Sequence, residues 1–73
     1  MSSLKFTEGC YFYDDENKDE INLVVGINEE EGIIQYRVVN KNYYGLTIGF
    51  HKNSIYAKRA RILTKDEVMV EIL

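Results

Sequence analysis

Apolar, β-branched and aromatic residues recur along this chain in short alternating runs, each cut off by Gly, Asn or a group of acids. The runs are Cys10-Tyr11-Phe12-Tyr13, Ile21 to Asn28, Ile33 to Asn40, Leu46 to His51 and Arg61 to Leu63. A period of two with turn formers between the runs predicts strands rather than helices. The first strand is expected over Cys10 to Tyr13 and is followed by a polar loop from Asp14 to Asp19. The second is expected over Glu20 to Asn28, where Gly26 marks a bulge or bend. Glu29-Glu30-Glu31-Gly32 forms a hairpin loop, with Gly32 at its positive-φ position. In the third strand, Ile33 to Asn40, the core face is Ile34, Tyr36 and Val38. Leu46, Ile48 and Phe50 repeat the alternation in a fourth strand after a turn at Lys41 to Gly45.

Beyond His51 the pattern shortens. Asn53-Ser54 is placed to cap a single 3₁₀ turn, and Ala57 to Leu63 holds a short fifth strand. The tail carries two signals. Thr64-Lys65-Asp66-Glu67 has the form of a capping box, which starts a helix. Val68, Val70 and Ile72 alternate and are β-branched, which favours a sixth strand, and the strand is the expectation.

Strands this short in 73 residues predict an all-β fold, one small barrel of five to six antiparallel strands with one 3₁₀ turn, spanning the chain as a single domain. The chain contains no Pro, which suits segments that are nearly all hydrogen-bonded strand. One cysteine, Cys10, excludes an internal disulfide, and one histidine argues against a structural zinc site. The remaining staple for so thin a core is self-association, expected through the apolar C-terminal segment Val68 to Leu73. No apolar run approaches the roughly 20 residues that span a bilayer, and Met1 to Phe6 has no secretory pattern, so a cytoplasmic protein is expected.

The succession Phe6, Gly9, Tyr13, an acidic loop, a long hairpin, a Gly-led fourth strand, a short turn and a final strand resembles an SH3-like barrel of the Tudor or KOW kind. In outline it is similar to the RNA-polymerase-interacting domain of CarD-type regulators. Those families often have Gly-Asp where this chain has Gly9-Cys10. The resemblance implies a non-catalytic binding module that uses aromatic and charged loop residues. An OB-fold is the alternative barrel, and it calls for a longer chain.

Charge divides the chain. Residues up to Gln35 hold two Lys against nine acids, net −7, and residues from Tyr36 onward hold seven bases against three acids, net +4. The acidic loop Asp14, Asp15 and Glu16, with the turn pair Tyr43-Tyr44, is the expected protein-binding surface, and it suits a partner with a basic surface. Lys52, Tyr56, Lys58, Arg59 and Arg61, beside His51, form the alternative: a basic patch with an interleaved aromatic, suited to a phosphate backbone. Against that alternative stands an acidic whole, with a pI near 5.0. The aromatic residues also suit a cage for a methylated cation or a platform for bases, besides filling the core and its rim.

No catalytic, metal or cofactor site is expected. Asp14 to Glu20 lacks the sixth-position Gly of a calcium loop and has Lys18 inside it. Cys10 and His51 have no third group nearby to orient them as nucleophile and base. The expected function is a protein-interaction module, a small adaptor or inhibitor of a larger protein machine. The Lys-, Asn-, Ile- and Tyr-rich usage fits an AT-rich bacterial or phage genome.

Overall fold

The computed structural model of the protein describes residues 5–41 and 46–72, with side chains up to residue 70. Tyr43 and Tyr44, most of the turn expected around them, and Leu73 lie outside the described residues. The elements run β1 (Tyr11–Asp14), β2 (Asn17–Asn28), β3 (Ile33–Val38), β4 (Ile48–His51), α1 (Ile55–Arg59), β5 (Ala60–Ile62) and α2 (Lys65–Ile72). The five strands form one antiparallel sheet in the order β4-β3-β2-β1-β5.

The alternation places the strands as expected, and the long β2–β3 hairpin is the centre of the sheet. Gly32 closes it with φ +70°, and an added Cβ there would meet His51 Nε2 at 3.1 Å. Val24 pairs with Tyr36 and Gly26 with Gln35, so Val25 is the extra residue of a bulge. Beyond Val38 the ladder is extended by a side chain. Asn40 Oδ1 accepts from Ile21 N–H at 2.8 Å while its Nδ2 donates to the Asp19 carbonyl at 2.8 Å, as a peptide group would.

One face of the sheet holds the core: Phe6, Phe12, Val24, Ile34, Phe50, Ala57 and Ala60, with Cys10, Ile27 and Tyr36 packed against it. Ile34 is fully buried, and Val38 is buried as well. Ile48 departs from the expectation and stays 36% exposed. It sits on β4, an edge strand with a pairing neighbour on one side only. Ile21 and Leu63 are buried on the other side, in a small cleft shared with Tyr13 and with Glu67 of α2.

Four expectations are corrected. The sheet is not closed by hydrogen bonds into a barrel: β4 and β5 are its two edges, and α1 bridges them, sending Ala57 into the core. The turn after β4 is a short α-helix rather than a 3₁₀ turn, with Ser54 as its N-cap accepting from Ala57 N–H. The polar loop contracts to a two-residue turn, because Asn17 to Glu20 continue as strand, a ribbon beyond the core where polar side chains meet water.

The tail is a helix, not a sixth strand. Its capping box forms reciprocally: Glu67 N–H donates to Thr64 Oγ1 at 3.2 Å, and Thr64 N–H donates to Glu67 Oε1 at 3.0 Å. Asp66 and Glu67 also suit the positive end of the helix. The β-branched residues do not outweigh these terms, and Met69 and Val70 are left facing solvent, 60% and 80% exposed. No helix among the described residues is long and apolar enough to cross a membrane.

Candidate functional site

The β1–β2 turn and the end of α1 are fastened to one another. Asp15 N–H donates to the Arg59 carbonyl at 3.1 Å. Arg59 sets its guanidinium on Asp14 in a fork, Nε to Oδ1 at 3.1 Å and Nη2 to Oδ2 at 3.0 Å, and reaches Glu16 with Nη1 at 2.9 Å. The planar guanidinium matches a carboxylate in this two-bond geometry. A longer bridge joins Arg61 to Asp15 at 3.7 Å. Asp14 also accepts from Glu16 N–H at 2.8 Å, which shapes the turn. Burial alone would raise the Asp14 pKa, but the Glu16 N–H and then the hydrogen bonds and charge of Arg59 outweigh it, so the group stays more acidic than usual.

An aromatic row runs from the core to the surface beside this fastening. Phe12 meets Tyr36 edge-on at 5.3 Å, Tyr36 leans on Phe50 at 5.5 Å, and Tyr56 of α1 stacks on Phe50 at 6.5 Å and 22°. Tyr56 is 54% exposed, and the Arg59 guanidinium lies 5.1 Å from its ring centre. The Tyr36 hydroxyl titrates above its ordinary range: burial is the main cause, followed by the charges of Glu20 and Asp14 and the Tyr56 hydroxyl. Tyr36, Phe50 and Tyr56 thus run in sequence from the core to the surface. Ile48, the partly exposed cross-strand partner of Tyr36, borders them.

Asn22 is buried in the middle of β2. It pairs with Phe12 on one side and Val38 on the other, and Nδ2 donates to the Phe12 carbonyl at 3.3 Å. Its Oδ1 is buried without a partner among the described residues. An orphaned buried acceptor costs about 1–3 kcal/mol.

The structure thus joins what the sequence pattern separates. Asp14, Asp15 and Glu16 do not form a surface apart from Arg59 and Arg61; the two sets are ion-paired. A phosphate backbone would have to compete with carboxylates for both arginines. Lys52 and Lys58 are exposed, Lys52 follows β4 and Lys58 lies on α1, and among the described residues neither is ion-paired. His51 contacts its own loop, accepting from Asn53 N–H at 3.1 Å. Cys10 is partly buried and takes a long contact from Thr7 N–H at 3.4 Å.

Tyr36, Glu20 and Asn22 were not among the expected site residues. One signal was present: Asn22 is a polar residue at a core-facing step of β2, two before Val24. Comparison of the chain with protein-family models, curated proteins and solved structures finds no match.

Proposed function

We propose that the chain is a non-catalytic protein-interaction module of the SH3-like kind, an adaptor or inhibitor that binds a larger protein machine through a cationic segment of that partner. The strand order β4-β3-β2-β1-β5, with a short helix between β4 and β5, supports the SH3-like reading. The observation that carries the binding reading is the exposed Tyr56 ring, stacked on Phe50 and next to Arg59, with the carboxylates of Asp14 and Glu16 on the same guanidinium. Aromatic faces and carboxylates attract the same ligand, a cation. The internal pairing does not cancel the charge. Asp14, Asp15, Glu16, Asp19 and Glu20 are set against Lys18, Arg59 and Arg61, which leaves the hairpin region negative.

Fluorescence anisotropy with a short labelled Lys- and Arg-containing peptide tests the reading, with an oligothymidylate as the competing ligand. The peptide should bind the wild type, and Tyr56→Ala should weaken it roughly tenfold, the scale of a lost aromatic anchor. Glu20→Gln should reduce the association rate and its salt sensitivity. Binding of the oligonucleotide alone, lost on replacing Lys52 and Lys58 with Gln and falling steeply with salt, would replace this reading with nucleic-acid recognition.

A further inference from the structure

The two edges of the sheet are finished differently. On β5 the outward groups of Ala60 are taken: its N–H donates to the Tyr56 carbonyl, and Lys5 Nζ donates to its carbonyl at 2.7 Å. That edge is three residues long and carries Arg61. Shortness, charge and covered backbone groups are the means by which natural sheets guard an edge. On β4 they are missing. Residues 46–51 hold no Lys, Arg, Asp, Glu or Pro, and the β3–β4 register runs without a bulge. Lys52 N–H donates to the Gly32 carbonyl at 2.7 Å, which fixes the phase of the ladder. Ile48 and Phe50 then turn their backbone groups toward β3, and Thr47, Gly49 and His51 turn theirs outward. The His51 carbonyl accepts from Ser54 N–H at 2.9 Å. Both backbone groups of Gly49 and Thr47, and the N–H of His51, have no backbone partner among the described residues. Thr47, Gly49 and His51 are all exposed, so this edge is open to solvent.

The two faces beside this edge define what it receives. On the core face, Leu46 and Ile48 are 55% and 36% exposed. On the opposite face, Arg37 of β3 reaches across to β4 and donates from Nε to Thr47 Oγ1 at 3.3 Å. Among the described residues its guanidinium has no carboxylate partner. We propose that β4 is a docking edge for an extended segment of a partner protein, which pairs through Gly49 as an additional strand and alternates apolar side chains, set against Leu46 and Ile48, with a carboxylate set against Arg37. Main-chain hydrogen bonds hold such a strand, and alternate side chains select it. A residue paired with Gly49 points to the Arg37 side of the sheet, and its two neighbours point to the Ile48 side. A second copy of the chain is the poorer occupant, because its own residues 46–51 bring no carboxylate to Arg37. This edge goes beyond the proposed function and does not rest on it: the two surfaces take segments of opposite charge.

The test is a nuclear magnetic resonance titration of the whole chain with the peptide acetyl-Thr-Val-Thr-Val-Glu-Thr amide, and with its counterpart carrying Lys in place of Glu. Binding is read at the Gly49 amide, away from the Tyr56 surface. The Glu peptide should slow exchange of the Gly49 and His51 amides and shift the methyl signals of Leu46 and Ile48. It should bind about two- to fivefold tighter than the Lys peptide, the scale of one opposite-charge pair across strands. Arg37→Gln should erase that preference and keep the binding. Thr47→Pro should abolish the binding of both peptides, since the N–H it removes faces outward and is not used by the β3 ladder. If that variant does not fold, protection of the wild-type Gly49 amide decides. A Gly49 amide that neither peptide protects overturns the docking edge, and equal affinities on the wild type overturn the acidic partner. A Gly49 amide already protected in the free chain and released on dilution, with sedimentation at twice the chain mass, gives the edge to a second copy and overturns the proposal. The cation-binding reading stands or falls separately, on its own peptide and Tyr56→Ala.

Discussion

Arg59 ties a carboxylate pair, an aromatic ring and two segments 45 residues apart into one unit, and Asp14 is its principal partner. Because the Asp14 pKa is lowered in the folded state, its pairing stabilises the fold fully above the ordinary value of 3.8. As pH falls through 3.8 the unfolded chain takes up its proton first, and the contribution is lost on the way down to the native pKa. Asp14→Asn should lower the melting temperature at neutral pH and flatten the acid limb of the stability curve. An unchanged acid limb would show that Arg59 does not hold Asp14 in solution. Tyr36 gives a second test. Glu20→Gln should bring its pKa part of the way back toward 10.0, followed through the ring carbon bearing the hydroxyl, while burial keeps the rest of the shift. No movement would place Glu20 away from the site. Tyr36 stood out in the sequence as a core-face position, whereas its coupling to charged groups is made by the fold.

Among the elements, the strands were legible because alternation states both their existence and their inward face. Ile34, Val38 and Phe50 are buried as their spacing requires. Ile34→Ala should cost about 2–5 kcal/mol in denaturant unfolding, from lost burial and the cavity left behind. A cost under about 1 kcal/mol would mean this side chain is not at the centre of the core. The two helices were harder to see. The five residues of α1 are too few for a period to show, and its formation depends on Ser54 and on Ala57 finding the core. In α2 the β-branched alternation and the capping box disagreed, and the reciprocal bonds between Thr64 and Glu67 carry the structure. Thr64→Ala should therefore fray residues 65–72, costing about 0.5–2 kcal/mol locally, read as faster amide exchange there. Exchange rates equal to the wild type would leave the cap without a role. Self-association through this segment stays a proposal, resting on the exposed Met69 and Val70. Sedimentation at micromolar concentration showing only the 8.5 kDa species would rule against it.

At the scale of the whole molecule, charge divides the chain into an acidic first half and a basic second half. Folding brings the two halves together instead, because β1 pairs with β5 and carries Asp14 beside Ala60. A sequence pattern reports how charges are ordered, and only topology says which of them meet. The acidic loop was visible in the sequence. Tyr56 stood out there only as a neighbour of cations, because its stacking on Phe50 is made by the fold. Asn22 was hidden among apolar neighbours. The central claim is that one surface, at the outer end of the core face, receives a partner's cation. The most direct test maps where a ligand lands. Titration of the isotope-labelled chain with a short Arg- and Lys-containing peptide, followed by amide chemical shifts, should move Asp14 to Glu20, Tyr36 and Tyr56 as one group. Shifts confined to Lys52 and Lys58, or to α2, would contradict that claim.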